Sequence, residues 1–306
     1  MRFVKNYVGE FILLAASMIW GTAFIFQSIA NSVMQPYTFV TTRSLIATVV
    51  MGIFILIRAK LNPKKAITNL GNKKGYRLAI FAGIALSLAM ILQQVGLLGT
   101  TSGKAGFLTS FYILFVPLLG FLIKKKPSLT VWLGLAGALI GFYFLSMNQE
   151  EVFMMNTYDL LIIGCAFSYA FQIFFIDQVQ HQLDSLMFSF VQFGIATLIT
   201  AIPTLILEGV DFSYLVSAEA IYALLYVGIV SSCIAYTFQI IGQKRAKSAP
   251  VATLIMSLEA VFALLAGMII LQETITFFQS IGMVFILVSI IVVNIPWDKL
   301  SFKIQK

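Results

Sequence analysis

Residues 11–42 read FILLAASMIWGTAFIFQSIANSVMQPYTFVTT and contain no aspartate, glutamate, lysine, arginine or histidine. The nearest charged residues are Glu10 before this stretch and Arg43 after it. A helix that crosses the hydrocarbon core of a bilayer needs about 20 predominantly apolar residues. The stretch is long enough for one complete crossing and the start of a second, and it therefore predicts a membrane protein.

The composition of the whole chain leads to the same class. Of 306 residues, 60% are apolar and only 10% are charged, and the mean hydropathy is +0.97. Soluble domains carry about 25% charged residues, so this chain cannot cover itself with a hydrated surface. Strands of a membrane barrel would alternate polar and apolar residues, which these runs do not. The sequence predicts an all-α polytopic membrane protein.

Ten apolar runs are separated by charged or turn-forming segments. The first is preceded by basic residues but is followed by further spans and by no small-residue cleavage site, so we interpret it as a transmembrane helix rather than a signal peptide. The predicted spans are 8–29, 37–57, 77–97, 102–123, 128–147, 156–176, 185–207, 218–240, 248–271 and 275–296.

Lysine and arginine are distributed unevenly about these spans. The net charge is +8, and 18 of the 20 basic residues lie in the two termini and in the loops on one side of the predicted membrane. Acidic residues occupy the loops on the other side. Cytoplasmic loops carry the excess of basic residues, so both termini are predicted to be cytoplasmic, in a bacterial plasma membrane. The two exceptions are Arg43 and Lys104.

The chain divides into two halves of five spans, residues 8–147 and 156–296. An odd number of spans places the second half upside down relative to the first, as in carriers with an inverted repeat and a site at the repeat interface. The dipeptide Trp20-Gly21 is echoed by Tyr169-Ala170. Coincidental similarity of apolar segments remains the alternative. The residues that recur at an offset of 146 are Gln93, Gly96 and Ser102, matched by Gln239, Gly242 and Ser248.

Four features resemble the drug/metabolite transporter superfamily, in particular its EamA-type ten-helix carriers. They are the sequence ASMIWG at 16–21, Arg43 in span 2, the sequence TSGKAGFLT at 101–109 running on to Pro117, and Glu273 with Gly282 nine residues later. The resemblance covers about residues 8–296. It implies a secondary transporter that moves small organic solutes, such as amino acids, metabolites or drug-like compounds, by alternating access and often in the direction of export.

The resemblance has two structural implications. Spans 5 and 10 should be peripheral to a central cavity. The second half also lacks the proline that the family usually places midway through span 9. The sequence there is Glu259-Ala260-Val261, so a kink like the one expected at Pro117 is not predicted for span 9.

Glu259 lies nearest the middle of a span among the charged residues. An ionised group at mid-helix costs about 2.5–3.5 kcal/mol on insertion scales, so this carboxyl group must pair, accept hydrogen bonds or take up a proton. The functional hypothesis is proton coupling or contact with a cationic group of the solute. The alternative is a neutral acid hydrogen-bonded to a neighbouring helix.

Arg43 and Lys104 are the two basic residues within spans. Arg43 could bind a carboxylate or phosphate through two parallel hydrogen bonds, or it could extend outward to the membrane surface. Lys104 lies near the start of span 4, where Ser102 is a candidate N-cap and where the helix dipole disfavours a cation. Both are candidate cavity residues, with outward extension as the alternative.

Uncharged polar and aromatic residues complete the candidate site. Trp20, Phe24 and Gln27 share one helix face by their spacing, although such a stripe is often simple packing. Cys165 and Cys233 are read as small buried apolar residues. The remaining candidates for substrate binding are Gln93, Tyr112, Gln172 and Gln239.

Motifs for other functions are absent from the sequence. It has no phosphate-binding loop, no catalytic motif such as HExxH or a nucleophile elbow, and no acidic pair spaced for a metal. No enzymatic activity, metal or cofactor is therefore predicted. The expected partners are a small solute, the lipid bilayer and protons, in a monomer or homodimer. The alternative is a polytopic membrane enzyme acting on lipid-linked substrates, which is disfavoured because the loop acids are scattered.

Overall fold

The computed structural model describes residues 7–61, 71–146, 155–179, 182–209, 211–270, 272 and 274–295. Every regular element in these ranges is helical, so the predicted all-α polytopic fold is confirmed. Glu273 and residues 180 and 181 lie outside the described residues. So do the loop 62–70, most of the connection between the halves, and both chain ends.

Within the described ranges, nine helices are long and apolar enough to cross a membrane, and a tenth, Leu129–Ser146, has 18 residues. No boundary differs from the predicted one by more than four residues. The spans are α1 Val8–Val33, α2 Pro36–Leu61, α3 Lys73–Gly96, α4 Ser102–Leu122, α5 Leu129–Ser146, α6 Thr157–Val179, α7 Ser185–Glu208, α8 Ala218–Gln243, α9 Ala249–Ile270 and α10 Phe277–Asn294.

Side-chain caps define where several spans begin. The Asn72 side chain accepts a hydrogen bond from Gly75 N at the start of α3, and Thr276 forms a capping box at the start of α10. The cap of α4 is Thr101, whose hydroxyl accepts from Lys104 N at 3.3 Å, and not Ser102 as the sequence suggested. Such caps satisfy amide groups that the helix leaves free.

Several contacts between the repeats occur in pairs that are related by a constant sequence offset. The hydroxyls of Thr48 in α2 and Thr197 in α7 lie 3.3 Å apart, and these residues are 149 positions apart, like Trp20 and Tyr169. A side chain on Gly96 would overlap Ile162, and one on Gly242 would overlap Leu13. Gly96 and Gly242 are 146 residues apart, and Leu13 and Ile162 are 149 residues apart. Each contact is therefore the counterpart of the other in the opposite repeat.

The two ends of the bundle differ in charge. At the basic end, Arg58 pairs with Asp184 at 3.1 Å, and Lys125 pairs with Asp177 at 2.7 Å. The opposite end, which we call the acidic end, has Glu208 accepting hydrogen bonds from the first backbone amides of α2 at 2.9 and 2.6 Å. A carboxylate at a helix N-terminus is stabilised by the helix dipole.

Spans α4 and α9 are each interrupted near their middle. Helix α4 breaks at Ser110 and Phe111, and α9 breaks at Ser257. The absence of a proline in span 9 therefore did not remove the interruption. The side chains of Ser110 and Ser257 bond back to carbonyls in the preceding turn, at 2.9 and 2.8 Å, and such back-bonding bends helices.

Span α8 contains a wide segment, Tyr226–Ala235, with π-helical hydrogen bonding. π-Helical turns are rare and occur frequently at functional sites. Spans α5 and α10 pack chiefly against each other, with Gly141 facing the carbonyl of Gly282. Neither contributes to the central cavity described below, in agreement with the peripheral position that the resemblance implies.

Candidate functional site

A cavity with an empty volume of about 460 Å³, its mouth included, lies near the middle of the spans. Its walls come from both repeats, with residues of α1 to α4 on one side and of α6, α8 and α9 on the other. The lining residues are Trp20, Ala23, Phe24, Gln27, Arg43, Gln93, Thr109, Tyr112, Tyr169, Ile173, Ser231, Tyr236, Gln239, Met256 and Glu259.

The break in α9 places Glu259 at the cavity. Because the helix restarts at Leu258, Glu259 lies in the first turn of the second segment, where a negative charge is favoured. The residue is only 4% exposed. Its Oε1 atom accepts no hydrogen bond from a described residue. The Tyr112 hydroxyl lies beside the carboxyl group but does not form a well-aligned hydrogen bond with it.

Arg43 is also directed into the cavity and is 3% exposed. Its Nη1 donates to Gln27 Oε1 at 3.1 Å, its guanidinium carbon lies 5.7 Å from the centre of the Phe39 ring, and Tyr169 lies close by. The alternative of an outward extension to the membrane surface is therefore not what the structure shows. Among the described residues, neither Arg43 nor Glu259 belongs to an ion pair.

A chain of polar side chains crosses the cavity wall. Gln93 Nε2 donates to Thr109 Oγ1 at 3.3 Å, and the Tyr169 hydroxyl donates to Gln93 Oε1 at 3.4 Å. The Tyr236 hydroxyl donates to that of Tyr169 at 3.0 Å. The Tyr236 ring packs edge-on against Trp20, with ring centres 5.0 Å apart. The cavity therefore has aromatic walls, and hydrogen bonds fix the orientation of the two tyrosine hydroxyl groups.

Seven of the nine candidate residues from the sequence line the cavity: Trp20, Gln27, Arg43, Gln93, Tyr112, Gln239 and Glu259. Gln172 does not line it, because its amide is bonded to Gln192 at 3.3 Å and to Gln239 at 3.2 Å. Gln172 therefore fixes the side chain of Gln239 from the side that faces away from the cavity. The role of each residue in solute binding is taken up below as a proposal.

Lys104 also lies away from the cavity. Its ammonium group pairs with Asp159 at 2.7 Å, with side chains 6% and 0% exposed. Asp159 was overlooked because it lies at the start of span 6, where loop charges are expected. The unfavourable position of Lys104 at a helix N-terminus is thus relieved by a partner in the other repeat.

Sequence reasoning missed several lining residues, notably Thr109, Tyr169, Ser231 and Tyr236. Tyr169 could have been found, because it occupies the repeat position of Trp20, 149 residues away. Tyr236 and Ser231 carry no comparable signal. They follow or lie within the π-helical segment, whose altered rotation decides which side chains face inward.

Comparison with known proteins supports the family suggested by the sequence. A model described as the EamA-like transporter family matches residues 7–147 and 156–295. An uncharacterized transporter of Archaeoglobus fulgidus is 30% identical over 95% of this chain and 87% of its own length. The uncharacterized transporter YwfM of Bacillus subtilis is 21% identical over 95% of both chains.

A solved crystal structure is also similar, with a TM-score of 0.75 and 15% identity over 98% of this chain and 100% of the other. At that identity the match supports the fold alone. The family match spans both halves of the chain and the relatives it resembles are transporters by name, so the protein is a multi-pass membrane protein that belongs to the EamA-like transporter family.

Proposed function

We propose that the protein is a secondary carrier for a small zwitterionic solute of the amino-acid type, working by alternating access. The central cavity is the binding site in this proposal, and the two halves, 8–147 and 156–296, supply its opposite walls. Carriers built from inverted repeats bind their solutes at the repeat interface near mid-bilayer. The basic end is assigned to the cytoplasm by the positive-inside rule.

The observation that carries the proposal is a set of four buried polar atoms that form no well-aligned hydrogen bond in the described part of the chain, although the Tyr112 hydroxyl lies beside the Glu259 carboxyl group. They are Trp20 Nε1, Arg43 Nε, the Tyr112 hydroxyl and Glu259 Oε1, and all four residues line the same cavity. Buried polar groups are almost always satisfied, so each exception needs an explanation. A polar solute in the cavity would supply the missing partners.

The types of these atoms define the solute. Arg43 and Trp20 are donors, suited to a carboxylate, and Arg43 carries a full positive charge. Glu259 is suited to an ammonium group. A buried charge without a partner is costly, and a solute of opposite charge offsets that cost. A solute that carries both a carboxylate and an amine would pair with both Arg43 and Glu259.

The walls of the cavity set a further limit. The rings of Trp20, Phe24, Tyr169 and Tyr236 line it, and aromatic faces also attract cations. These features favour an amino acid with an apolar or aromatic side chain over a sugar or a nucleotide.

Glu259 would also serve as the coupling group. A carboxyl group that exchanges a solute amine for a proton links the two movements, because only one of them can satisfy it at a time. With protons as the coupling ion, the proposed direction is export, as the family resemblance implies. Proton-linked export predicts that an inward proton gradient accelerates solute efflux.

The experiment uses the purified protein in proteoliposomes and three related ligands. For one aromatic amino acid, these are the zwitterion, the amine that lacks its carboxylate, and the N-acetyl derivative that lacks its positive charge. The zwitterion alone should raise the thermal unfolding temperature and exchange across the membrane. Equal stabilisation by all three would contradict recognition of both charges, and transport of none would reject the proposed solute class.

A further inference from the structure

A cluster of polar contacts joins α1 to the hairpin of α3 and α4 at the acidic end, beyond the cavity. Gln94 Nε2 donates to the Gln27 carbonyl at 3.0 Å and to Asn31 Oδ1 at 2.7 Å. Asn31 Nδ2 donates in return to the Gln94 carbonyl at 3.1 Å, and the hydroxyls of Ser28 and Ser102 lie 2.6 Å apart. We call these five residues the polar seam.

The repeat symmetry allows the polar seam to be compared with the opposite end. By the offsets of 149 and 146, Ser28 and Ser102 correspond to Asp177 and Ser248, which are not bonded to each other. Asp177 instead pairs with Lys125 at 2.7 Å, and Ser248 caps α9 by accepting from Val251 N at 3.4 Å. The basic end therefore has no counterpart of the serine pair.

The centre of the polar seam also differs from its counterpart. Gln27 and Gln94 correspond to Ile176 and Ile240, which are buried together in an apolar cluster. At these positions the acidic end thus has directional hydrogen bonds between α1 and α3, where the basic end has apolar packing. Hydrogen bonds can be exchanged with water when helices separate, whereas exposed apolar surface cannot be compensated in this way.

Gln27 connects the polar seam to the cavity. Its side chain accepts from Arg43 Nη1 at 3.1 Å, while its backbone carbonyl accepts from Gln94. A solute carboxylate that binds Arg43 competes with Gln27 for the same guanidinium group. Occupation of the site therefore replaces a bond between α1 and α2 and releases the side chain of the residue whose backbone carbonyl holds α1 beside α3.

We infer that the polar seam is the gate at the acidic end of the transport pathway, with Gln94 as its latch, and that solute bound at Arg43 loosens it through Gln27. The inference rests on the proposed alternating-access function. The seam must part once in each cycle, and α1 must then move away from α3 and α4. The contact of Thr48 with Thr197 joins α2 to α7 outside the polar seam and has no such requirement.

A cross-linking experiment tests the inference with a geometrically matched control. In a background with Cys165→Ala and Cys233→Ala, the pair Ser28→Cys and Ser102→Cys should form a disulfide with a mild oxidant. Exchange of the aromatic amino acid should then fall at least tenfold and return on reduction. Thr48→Cys with Thr197→Cys should cross-link and leave exchange within twofold. Full transport by the fully cross-linked Ser28 and Ser102 variant, or failure of that pair to cross-link, would overturn the gate.

A second measurement does not depend on any solute being transported. Ser231→Cys places a thiol in the cavity, and a membrane-impermeant maleimide added at the acidic end should label it slowly. Adding Gln94→Met, which keeps the side-chain length but removes the amide, should raise the labelling rate several-fold. An unchanged rate would overturn the latch role of Gln94. Faster labelling and efficient cross-linking without transport of any tested solute would instead reject the proposed function and leave the gate standing.

Discussion

Lys104 Nζ lies 2.7 Å from Asp159 Oδ2, and this buried ion pair joins the start of α4 in one repeat to the start of α6 in the other. The Thr100 hydroxyl and the Asn156 backbone amide also donate to Asp159, at 2.7 and 2.9 Å. The carboxylate is therefore fully used within the protein. The pair joins α4 to α6, and the Thr100 contact ties the loop that follows α3 to the same carboxylate.

The first prediction follows from that geometry. Asp159→Leu should destabilise the protein by about 3–5 kcal/mol, because it removes one partner of a buried ion pair. The double variant Lys104→Met with Asp159→Leu should recover much of this loss. Thermal unfolding in detergent measures both, and equal melting of the single variant and the parent protein would contradict the assigned role. Solute affinity of the folded double variant should be unchanged.

The second prediction concerns Glu259→Gln. The amide keeps the shape and much of the hydrogen bonding but cannot exchange a proton or neutralise an ammonium group. Expression and folding should remain intact, while gradient-driven transport in proteoliposomes should be abolished. Ile113 is the repeat counterpart of Glu259, and Ile113→Val serves as a control that should change little. Near-normal active transport by Glu259→Gln would exclude the coupling role.

The third prediction concerns recognition of the carboxylate. Arg43→Gln removes a charged hydrogen-bonding group worth about 1.5–3 kcal/mol, so the zwitterionic solute should bind about 10- to 100-fold more weakly. Thr41→Val alters a neighbouring residue of α2 whose hydroxyl bonds to Thr204 at 2.8 Å, outside the cavity. It should leave the affinity unchanged. Calorimetric titration of both variants is the appropriate measurement, and equal affinities would remove Arg43 from the site.

The fourth prediction tests the close packing between the repeats. Gly96→Val and Gly242→Val should each reduce the yield of folded protein strongly, because the added side chain would overlap Ile162 in one case and Leu13 in the other. Overfilling a packed interface usually costs about 1–3 kcal/mol or more. Gly164→Ala adds a carbon 3.4 Å from Leu92 and should be tolerated. Size-exclusion profiles after detergent extraction compare the three, and a normal profile for Gly242→Val would contradict the symmetric contact.

The fifth prediction is the membrane orientation. Single cysteines at positions 62 and 148, both outside the described residues, should be labelled from opposite sides, with position 62 cytoplasmic. A membrane-impermeant thiol reagent applied to intact cells and to inverted vesicles distinguishes them. Labelling of both positions from the same side would refute the ten-span topology and the assignment of the basic end to the cytoplasm.

The sequence predicted the spans well because each one is a long apolar segment bounded by charge, and the bilayer permits few other structures. Seven of the nine candidate residues line the cavity, since a polar side chain within a span must find a polar environment. The same argument misled the prediction for Lys104. It shows that a charge within a span needs a partner, but it does not show whether that partner is a solute or Asp159.

Two further features lay beyond what residue patterns encode. The interruption of α9 arises from the back-bonding of Ser257 rather than from a proline, and serine within a helix more often leaves the helix intact. Tyr236 reaches the cavity only because the preceding segment of α8 is π-helical. Hydrophobic periodicity assumes a uniform rotation per residue, so it fails wherever the rotation changes.

The π-helical segment of α8 also bears on how far the two halves remain interchangeable. Gly83 packs against Gln192 and Ile195, and the same role in the other half belongs to Gly228, which packs against Arg43 and Ile46. Gly83 and Gly228 are thus 145 residues apart, whereas Gly96 and Gly242 are 146 residues apart. Residues 226–235 thus accommodate one inserted residue, since each π-helical turn takes up more chain than an α-helical turn. A chimera with α3 grafted in place of α8 would consequently keep both glycine contacts in phase and would lose only the π-helical segment that faces the cavity.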